Sequence, residues 1–396
     1  MPQSTEQLLA RLLAALEREL PAAVELRRLL HARPELAHAE EWTARTVCER
    51  LPAPAIAAAG TGRIARVGSP HGRPVAVRAE LDGLPVQERT GVSFQATGGV
   101  MHACGHDVHM AALVALTRAA ATLGEGLPAP LLAVFQPSEE AYPSGAEELA
   151  RSELRALAPR ALVAAHIHPE LRWGTVALDA GTVNASCDAF EITVHGEPTH
   201  GAYPHRGRDP VLALAEIVLA LHAAAAQRID PLHAGTLSVG VLEAGSAENV
   251  IPARARARGA LRAYRGADRM ALRELVAELV AGIASAHGCS GSVQLTPGEP
   301  ALENDPRIVA AGRELLRAAH LETAPEWRSG GSDDFAFFAA LAPIALCFVG
   351  LEGAAGFDSR PLHHPELIPP DSAVAAVARA QAVLYVAAAA VLSTDA

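Results

Sequence analysis

The chain contains no lysine. All 33 of its Lys/Arg-type cations are arginines, set against 44 acidic side chains, for a formal net charge of −11 over 396 residues. Alanine is abundant alongside, and the two features read as compositional drift without functional meaning. No cluster of basic charge appears, and without one neither nucleic acid nor an anionic membrane has a face to bind. Cysteine is scarce. The five present (Cys48, Cys104, Cys187, Cys289 and Cys347) are odd in number and widely spaced in a chain too large to need staples, which excludes a disulfide framework and points to a reducing compartment. The longest apolar run, Ala382 to Leu392, is shorter than the ~20 residues of a bilayer span and reads as a packed terminal helix. The opening Met1-Pro2-Gln3-Ser4-Thr5-Glu6 lacks the basic-then-apolar order of a secretory signal. A soluble, cytoplasmic protein is expected. Internal repeats and low-complexity linkers are also missing.

What is present begins with size. A chain of 396 residues exceeds the length at which one core keeps growing, so two domains are expected, and a hydrophobic share of 50% can fill both. The chemistry concentrates in one run, Met101-His102-Ala103-Cys104-Gly105-His106-Asp107-Val108-His109-Met110. A thiolate and a neutral imidazole are ligands that a borderline divalent ion prefers, and the intervening glycine lets Cys104 and His106 turn toward one point.

Apolar spacing over Leu8, Leu9, Leu12, Leu16 and Leu20 predicts a helix broken at Pro21 and then resumed. His31 and His38, near its end, read as polar caps. Strands are expected at Arg63–Val67, Pro74–Val77, Leu131–Phe135 and Leu162–Ala165, with a helix at Ala111–Leu123 that leaves Cys104 and His106 in its entry loop. Three of these strands end in candidate ligands: Glu80 and Asp82, then Glu139 and Glu140, then His166. Open α/β sheets assemble sites at such ends. From about Ala189 the order becomes strand (Phe190–Val194), helix (Asp209–Gln227), strand (Thr236–Leu242), strand (Arg254–Ala263), helix (Asp268–His287), strand (Gly291–Leu295). That βαββαβ order is ferredoxin-like and compact enough to be an inserted domain. From about Pro300 the helix-strand alternation resumes, so the tail rejoins the first domain. The expected architecture is a discontinuous α/β catalytic domain (1–186 and 298–396) with a mixed, mostly parallel sheet flanked by helices, plus an inserted α+β domain (187–297).

Eight motifs in order then carry a family resemblance: Arg78-Ala79-Glu80-Leu81-Asp82-Gly83-Leu84-Pro85, His102-Ala103-Cys104-Gly105-His106-Asp107, Phe135-Gln136-Pro137-Ser138-Glu139-Glu140, His166-Ile167-His168-Pro169, His200-Gly201-Ala202-Tyr203-Pro204-His205, Asn249-Val250-Ile251-Pro252, Asp333-Asp334-Phe335 and Leu362-His363-His364-Pro365. The chain resembles the M20 metallopeptidase and amidohydrolase family, in the branch of N-acyl-amino-acid hydrolases that includes hippurate and auxin-conjugate hydrolases. The resemblance implies two divalent metal ions held by Cys104, His106, Glu140, His166 and His363, with Glu139 as general base and Asp82 behind the ligands. It implies that the inserted domain is a lid and a dimerisation domain, that His200 reaches a neighbouring subunit's site, and that Asn249 and Arg262 touch the substrate's carbonyl and carboxylate. Two departures, Glu80 for a usual Asp and Asp333-Asp334-Phe335 for a usual Glu-Asp-Phe, affect surroundings and substrate fit and remove no ligand.

The implied reaction is hydrolysis of an N-acyl amino acid by a metal-bridging water, with release of a carboxylic acid and a free amino acid. Thiolate softness favours zinc, and mixed N/O/S sites also suit manganese, cobalt or nickel. Dipeptidase or carboxypeptidase activity, and a non-catalytic metal-binding protein on the same fold, are the alternatives. The implied partners are the small substrate and a second copy of the chain, with no nucleic acid and no membrane. His71, His195, His222, His233 and His287 read as scattered polar residues, the cysteines other than Cys104 as small buried hydrophobes, and Trp42, Trp173 and Trp327 as packing or pocket walls.

Overall fold

The structure is a computed structural model that describes residues 4–392; the first three residues of the Met1–Glu6 stretch, considered as a leader, lie outside the described residues. The chain divides into two compact units, one formed by Met1–Gly181, Glu303–Trp327 and Asp334–Ala396, the other by Thr182–Leu302 and Arg328–Asp333.

The first unit is built on an eight-stranded sheet. In spatial order its strands are Ala55–Ala58, Gly62–Val67, Leu131–Gln136, Val75–Glu80, Ala161–Arg172, Ile344–Glu352, Thr175–Ala177 and Glu322–Thr323. The four central strands run parallel to one another, and antiparallel neighbours flank them. This is the mixed, mostly parallel sheet flanked by helices that the sequence predicts. Central strands covered on both faces can be apolar throughout, and every residue of Leu131–Gln136 and Val75–Glu80 is buried. Alternate residues divide the work: Val75, Val77, Ala79, Leu131, Ala133, Phe135, Val163, Ala165 and Ile167 face the main core. Arg78, Glu80, Gln136, His166 and His168 fall on the opposite alternation and carry the polar chemistry.

Two helix expectations change. Pro21 does not break the first helix, which runs uninterrupted from Thr5 to His31 behind a Ser4/Gln7 capping box. An internal proline costs about 3 kcal/mol, but the stripe Leu8, Leu12, Leu16, Ala23, Leu26 and Leu30 stays buried on both sides of it, so packing outweighs the lost bond. The terminal apolar run is the second half of a 20-residue helix, Ser372–Val391. That helix is long enough to cross a bilayer, contrary to expectation, but most of it is buried in the core against the sheet and the helices Thr5–His31 and His106–Leu123. The helix Pro210–Arg228, 19 residues long, is nearly as long and apolar, and it leaves Leu212 and Leu219 exposed.

The second unit follows the predicted order closely. Its strands lie as Gly235–Ala244, Arg254–Ala263, Ser186–His195 and Ser290–Pro297, antiparallel throughout, which is the ferredoxin-like order. The helices Pro210–Arg228 and Gly266–Ala286 pack on one face around Phe190, Ile192, Leu214, Ile217, Leu272 and Val276.

Candidate metal centre

The helix after the cysteine run begins at His106, five residues earlier than its apolar pattern suggests. Its N-cap is Gly105 in the left-handed region, φ 80°, and a Cβ there would stand 2.3 Å from Ile167 Cδ1. Only glycine permits that turn at that distance. Cys104 therefore stays in the loop, and His106 heads the helix with its side chain buried.

The strand Ala161–Arg172 also runs past its predicted end, so His166 sits within the strand rather than after it. Glu139 and Glu140 lie in a turn tied down at both ends: Ser138 N–H donates to Glu40 at 2.7 Å and Glu140 N–H to Asp82 Oδ2 at 2.9 Å. His363 arrives from the far end of the chain. Its backbone is left-handed, φ 67°, and its N–H donates to the Ala103 carbonyl at 2.7 Å. Such a conformation costs of order 1–3 kcal/mol for a non-glycine residue and is held here by that bond.

These elements bring five side chains to one place. Cys104 Sγ is 3.4 Å from His166 Nε2, and His363 Nε2 is 3.4 Å from Glu140 Oε1. His106 Nε2 stands 4.0 Å from Glu140 Oε1 and 3.9 Å from Glu139 Oε2. Ligand atoms of Cys104, His106 and Glu140 all fall within 4.8 Å of one another, as do those of Glu80, His106, His109 and His166. The Asp82 carbonyl, 2.9 Å from His106 Nδ1, accepts the ring N–H there and turns Nε2 toward Glu139 and Glu140. The Ile167 carbonyl likewise accepts the His166 ring N–H from 2.6 Å.

The electrostatics suit a cation. Asp82 Oδ1 and His106 Nε2 are buried with no hydrogen-bond partner, at about 1–3 kcal/mol each if left so. Burial, then the charges of Glu140 and Glu139, push the Cys104 thiol well above its ordinary range. Burial and the neighbouring histidines hold His166 neutral, its pKa well below normal, which is the form that ligates. Burial raises Glu140, but the hydrogen bond to His363 and the charge of His106 outweigh it and hold the carboxyl low. A divalent ion would satisfy the lone pairs and the thiol together, and sulfur, nitrogen and oxygen donors in this mixture fit one.

The second unit holds the other predicted residues. His200 pairs with Val250 in a two-stranded ribbon, and Gly201 N–H donates to the Asn249 carbonyl at 2.7 Å. His200 Nδ1 accepts from Ala202 N–H at 3.0 Å, so its proton lies on the exposed Nε2. Arg262 sits near the other end of the strand Arg254–Ala263, about 26 Å from Arg254 at ~3.3 Å per residue. Its guanidinium donates to the Gly330 carbonyl at 3.0 Å.

The sequence pattern of peptidase family M20/M25/M40 matches residues 76–385. The chain belongs to that family. It is 30% identical over 368 residues to an N-acetyl-L-cysteine deacetylase of Bacillus subtilis (strain 168), covering 91% of this chain and 86% of the relative. An N-acetyldiaminopimelate deacetylase of Exiguobacterium sibiricum is 31% identical over 362 residues, covering 89% and 95%. Among solved structures, a dinuclear metal-binding M20 peptidase of B. subtilis superposes with a TM-score of 0.82 at 27% identity, covering 93% of this chain and 98% of that one. The protein is a metal-dependent amidohydrolase, and the cluster around Cys104 is where this M20 chain can hold divalent metal.

Three features of this M20 fold escape the sequence. His31 is not a cap: it is fully buried, with Nδ1 2.9 Å from Asp107 and Nε2 3.1 Å from Glu88, beside Arg27, which donates to Asp107 at 2.7 Å. His38 Nδ1 lies 3.0 Å from Ser138 Oγ and braces the turn that carries Glu139. His109 is buried three residues after His106 on the same helix, bonded to Glu80 at 2.9 Å. The i, i+3 spacing of the two histidines is visible in the sequence, but a helix start at Ala111 conceals that they share a face. Trp327, read as packing or wall, stacks edge-on to His168 with ring centroids 4.7 Å apart.

Proposed function

We propose that the protein hydrolyses the amide bond of N-acyl amino acids, releasing a carboxylic acid and a free amino acid, with Glu139 as general base. The observation that carries this reading is the convergence of Cys104, His106, Glu140, His166 and His363 with the Glu139 carboxylate 3.9 Å from His106 Nε2. The deacetylase names of the relatives support the substrate class. Two divalent ions held by those five residues would lower the pKa of a shared water toward about 7 and polarise the scissile carbonyl.

The chain's own residues supply the rest. Glu139 takes a proton from the attacking water and passes it to the leaving nitrogen, held beside the ligands because Glu140 next to it is anchored by Asp82. His200 donates from Nε2 to the oxygen that gains charge as the carbonyl is attacked, and Asn249 contacts the same carbonyl. Arg262 clamps the substrate's α-carboxylate with the donors that Gly330 leaves free.

His200 and Asn249 lie beyond one end of a strand and Arg262 near the other, too far apart for one small substrate to touch both within a single copy. That separation supports a homodimer in which residues 187–297 act as lid and dimerisation domain on a catalytic domain of 1–186 and 298–396. The thiolate of Cys104 favours zinc, with manganese, cobalt or nickel as the other candidates.

The test is amino-acid release from N-acetyl, N-benzoyl and long-acyl amino acids beside unblocked dipeptides, with metal stripped and then restored ion by ion. Metal-dependent release from the acylated set alone is the expected result. Faster release from dipeptides would transfer the assignment to peptidase.

A further inference from the structure

His109 and Glu80 contribute atoms to a buried four-residue cluster with His106 and His166, yet the one acceptor lone pair of His109 is already used and both Glu80 oxygens already accept hydrogen bonds. Glu80 Oε1 accepts from Arg78 and Oε2 from His109. His109 Nε2 accepts from the Ile167 N–H at 3.1 Å. A backbone N–H can only donate, so Nε2 carries no proton, and the ring proton sits on Nδ1 facing Glu80. The arrangement is a relay across three elements: Arg78 and Glu80 on one strand, His109 on the helix, Ile167 on the next strand.

Its endpoint matters. Ile167 follows His166 directly, and the Ile167 carbonyl is the group that takes the His166 Nδ1 proton and leaves Nε2 facing Cys104 Sγ at 3.4 Å. Arg78 is itself fixed by Gln136 at 2.8 Å and Asp334 at 2.9 Å, all of them buried. The Glu80 carboxylate links Arg78 to His109.

We propose that His109 is a positioning residue for His166, and that Glu80, held by Arg78, dictates the His109 tautomer that makes this work. The inference rests on the proposed assignment of His166 as a metal ligand. Partners that orient ligands in this way are worth about 10–100-fold in metal affinity.

The decisive variant is Glu80→Gln, which preserves shape and volume. Arg78 can only donate, so it claims the amide oxygen and turns the NH2 toward His109. The imidazole must then accept at Nδ1 and protonate Nε2, which sets two donors face to face at Ile167. Zinc affinity of the stripped full-length protein, measured by chelator competition, is expected to fall about 10–100-fold in Glu80→Gln and His109→Ala. His109→Gln, whose amide oxygen can accept from Ile167, should recover part of the His109→Ala loss. Leu113→Ala, a fully buried cavity on the same helix, should lower Tm and leave zinc affinity unchanged. Imidazole nitrogen shifts should report Nδ1-protonated His109 in the parent and Nε2-protonated His109 in Glu80→Gln.

Parental zinc affinity in Glu80→Gln, alongside a His166→Ala variant that loses an ion, would overturn the positioning role. A His166→Ala variant that keeps its full metal complement would remove the premise, and the inference with it, which is a distinguishable failure.

Discussion

Asp107→Asn should change how stability depends on pH. Arg27, His31, Glu88 and Asp107 form a buried ionised cluster behind the metal centre, closed at its rim by Asp371. Burial alone would depress the His31 imidazole, but the charge and hydrogen bond of Asp107, with the bond to Glu88, overrule it and raise the pKa from 6.5 to about 9. Asp107 shows the same interaction from the other side: burial raises its carboxyl, and Arg27 and then His31 pull it far below the ordinary range. The energy is therefore counted once. A group whose folded pKa is raised contributes stability that is full below its unfolded pKa and is lost as pH rises through the folded value. For His31 that window runs from 6.5 to about 9, and the contribution is about 3 kcal/mol at ~1.4 kcal/mol per pKa unit. Asp107→Asn removes the charge that raises His31, and it strands Arg27 with Asp371 alone, 3.3 Å away. Below pH 6.5 the variant should lose about 3–5 kcal/mol, the usual cost of breaking a buried pair, and the parent's decline between pH 6.5 and 9 should flatten. Denaturant unfolding at half-unit pH steps, with chelator present to suppress metal linkage, measures both quantities. Parallel stability profiles for parent and variant across that window would refute the reasoning.

Glu139→Gln should lower kcat by about 10²–10⁴-fold with metal content by atomic absorption unchanged, whereas Glu140→Ala should lose metal and activity together; equal loss of metal in both would show that the two roles are exchanged. Arg262→Ala should raise KM for N-acyl amino acids and leave N-acyl amides unaffected, and identical KM changes would remove the carboxylate clamp. His200→Ala and Glu139→Gln chains, each inactive alone, should regain about a quarter of parental activity when mixed under subunit exchange, since half of the dimers are hybrids with one intact site under two-fold symmetry. No recovery in mixtures that size exclusion shows to be dimeric and exchanged would place His200 in its own chain's site.

Much of the centre is legible in the amino-acid sequence. Cys104, His106, Glu139, Glu140 and His166 stand out by residue type, the last three also by place at strand ends, His363 only through the family resemblance, and the strands Leu131–Gln136 and Arg254–Ala263 by short-range pattern, because ligand chemistry and strand period are local properties. Local pattern fails where packing overrules it. Pro21 marks a break that a continuous buried stripe tolerates, and the polar residues at positions 106–109 mask the first turn of a helix because buried histidines and aspartate interrupt an apolar period. His31 looks like a cap since its partners, Asp107 and Glu88, are 76 and 57 residues away.

The sequence by itself brought out the candidate donors, the divalent class of metal that such donors suit, and a glycine between Cys104 and His106 whose necessity only the packing against Ile167 shows. Tertiary structure alone decided which lone pair of each histidine faces the centre. Those tautomers depend on the backbone carbonyls of Asp82 and Ile167, groups that every residue carries and that no side-chain pattern can single out. It also joined Arg27, His31, Glu88 and Asp107 into one charged cluster. A buried charge is tolerable only when its counter-charge is brought to it, and sheet register and helix packing, acting over the whole chain, determine which charges meet.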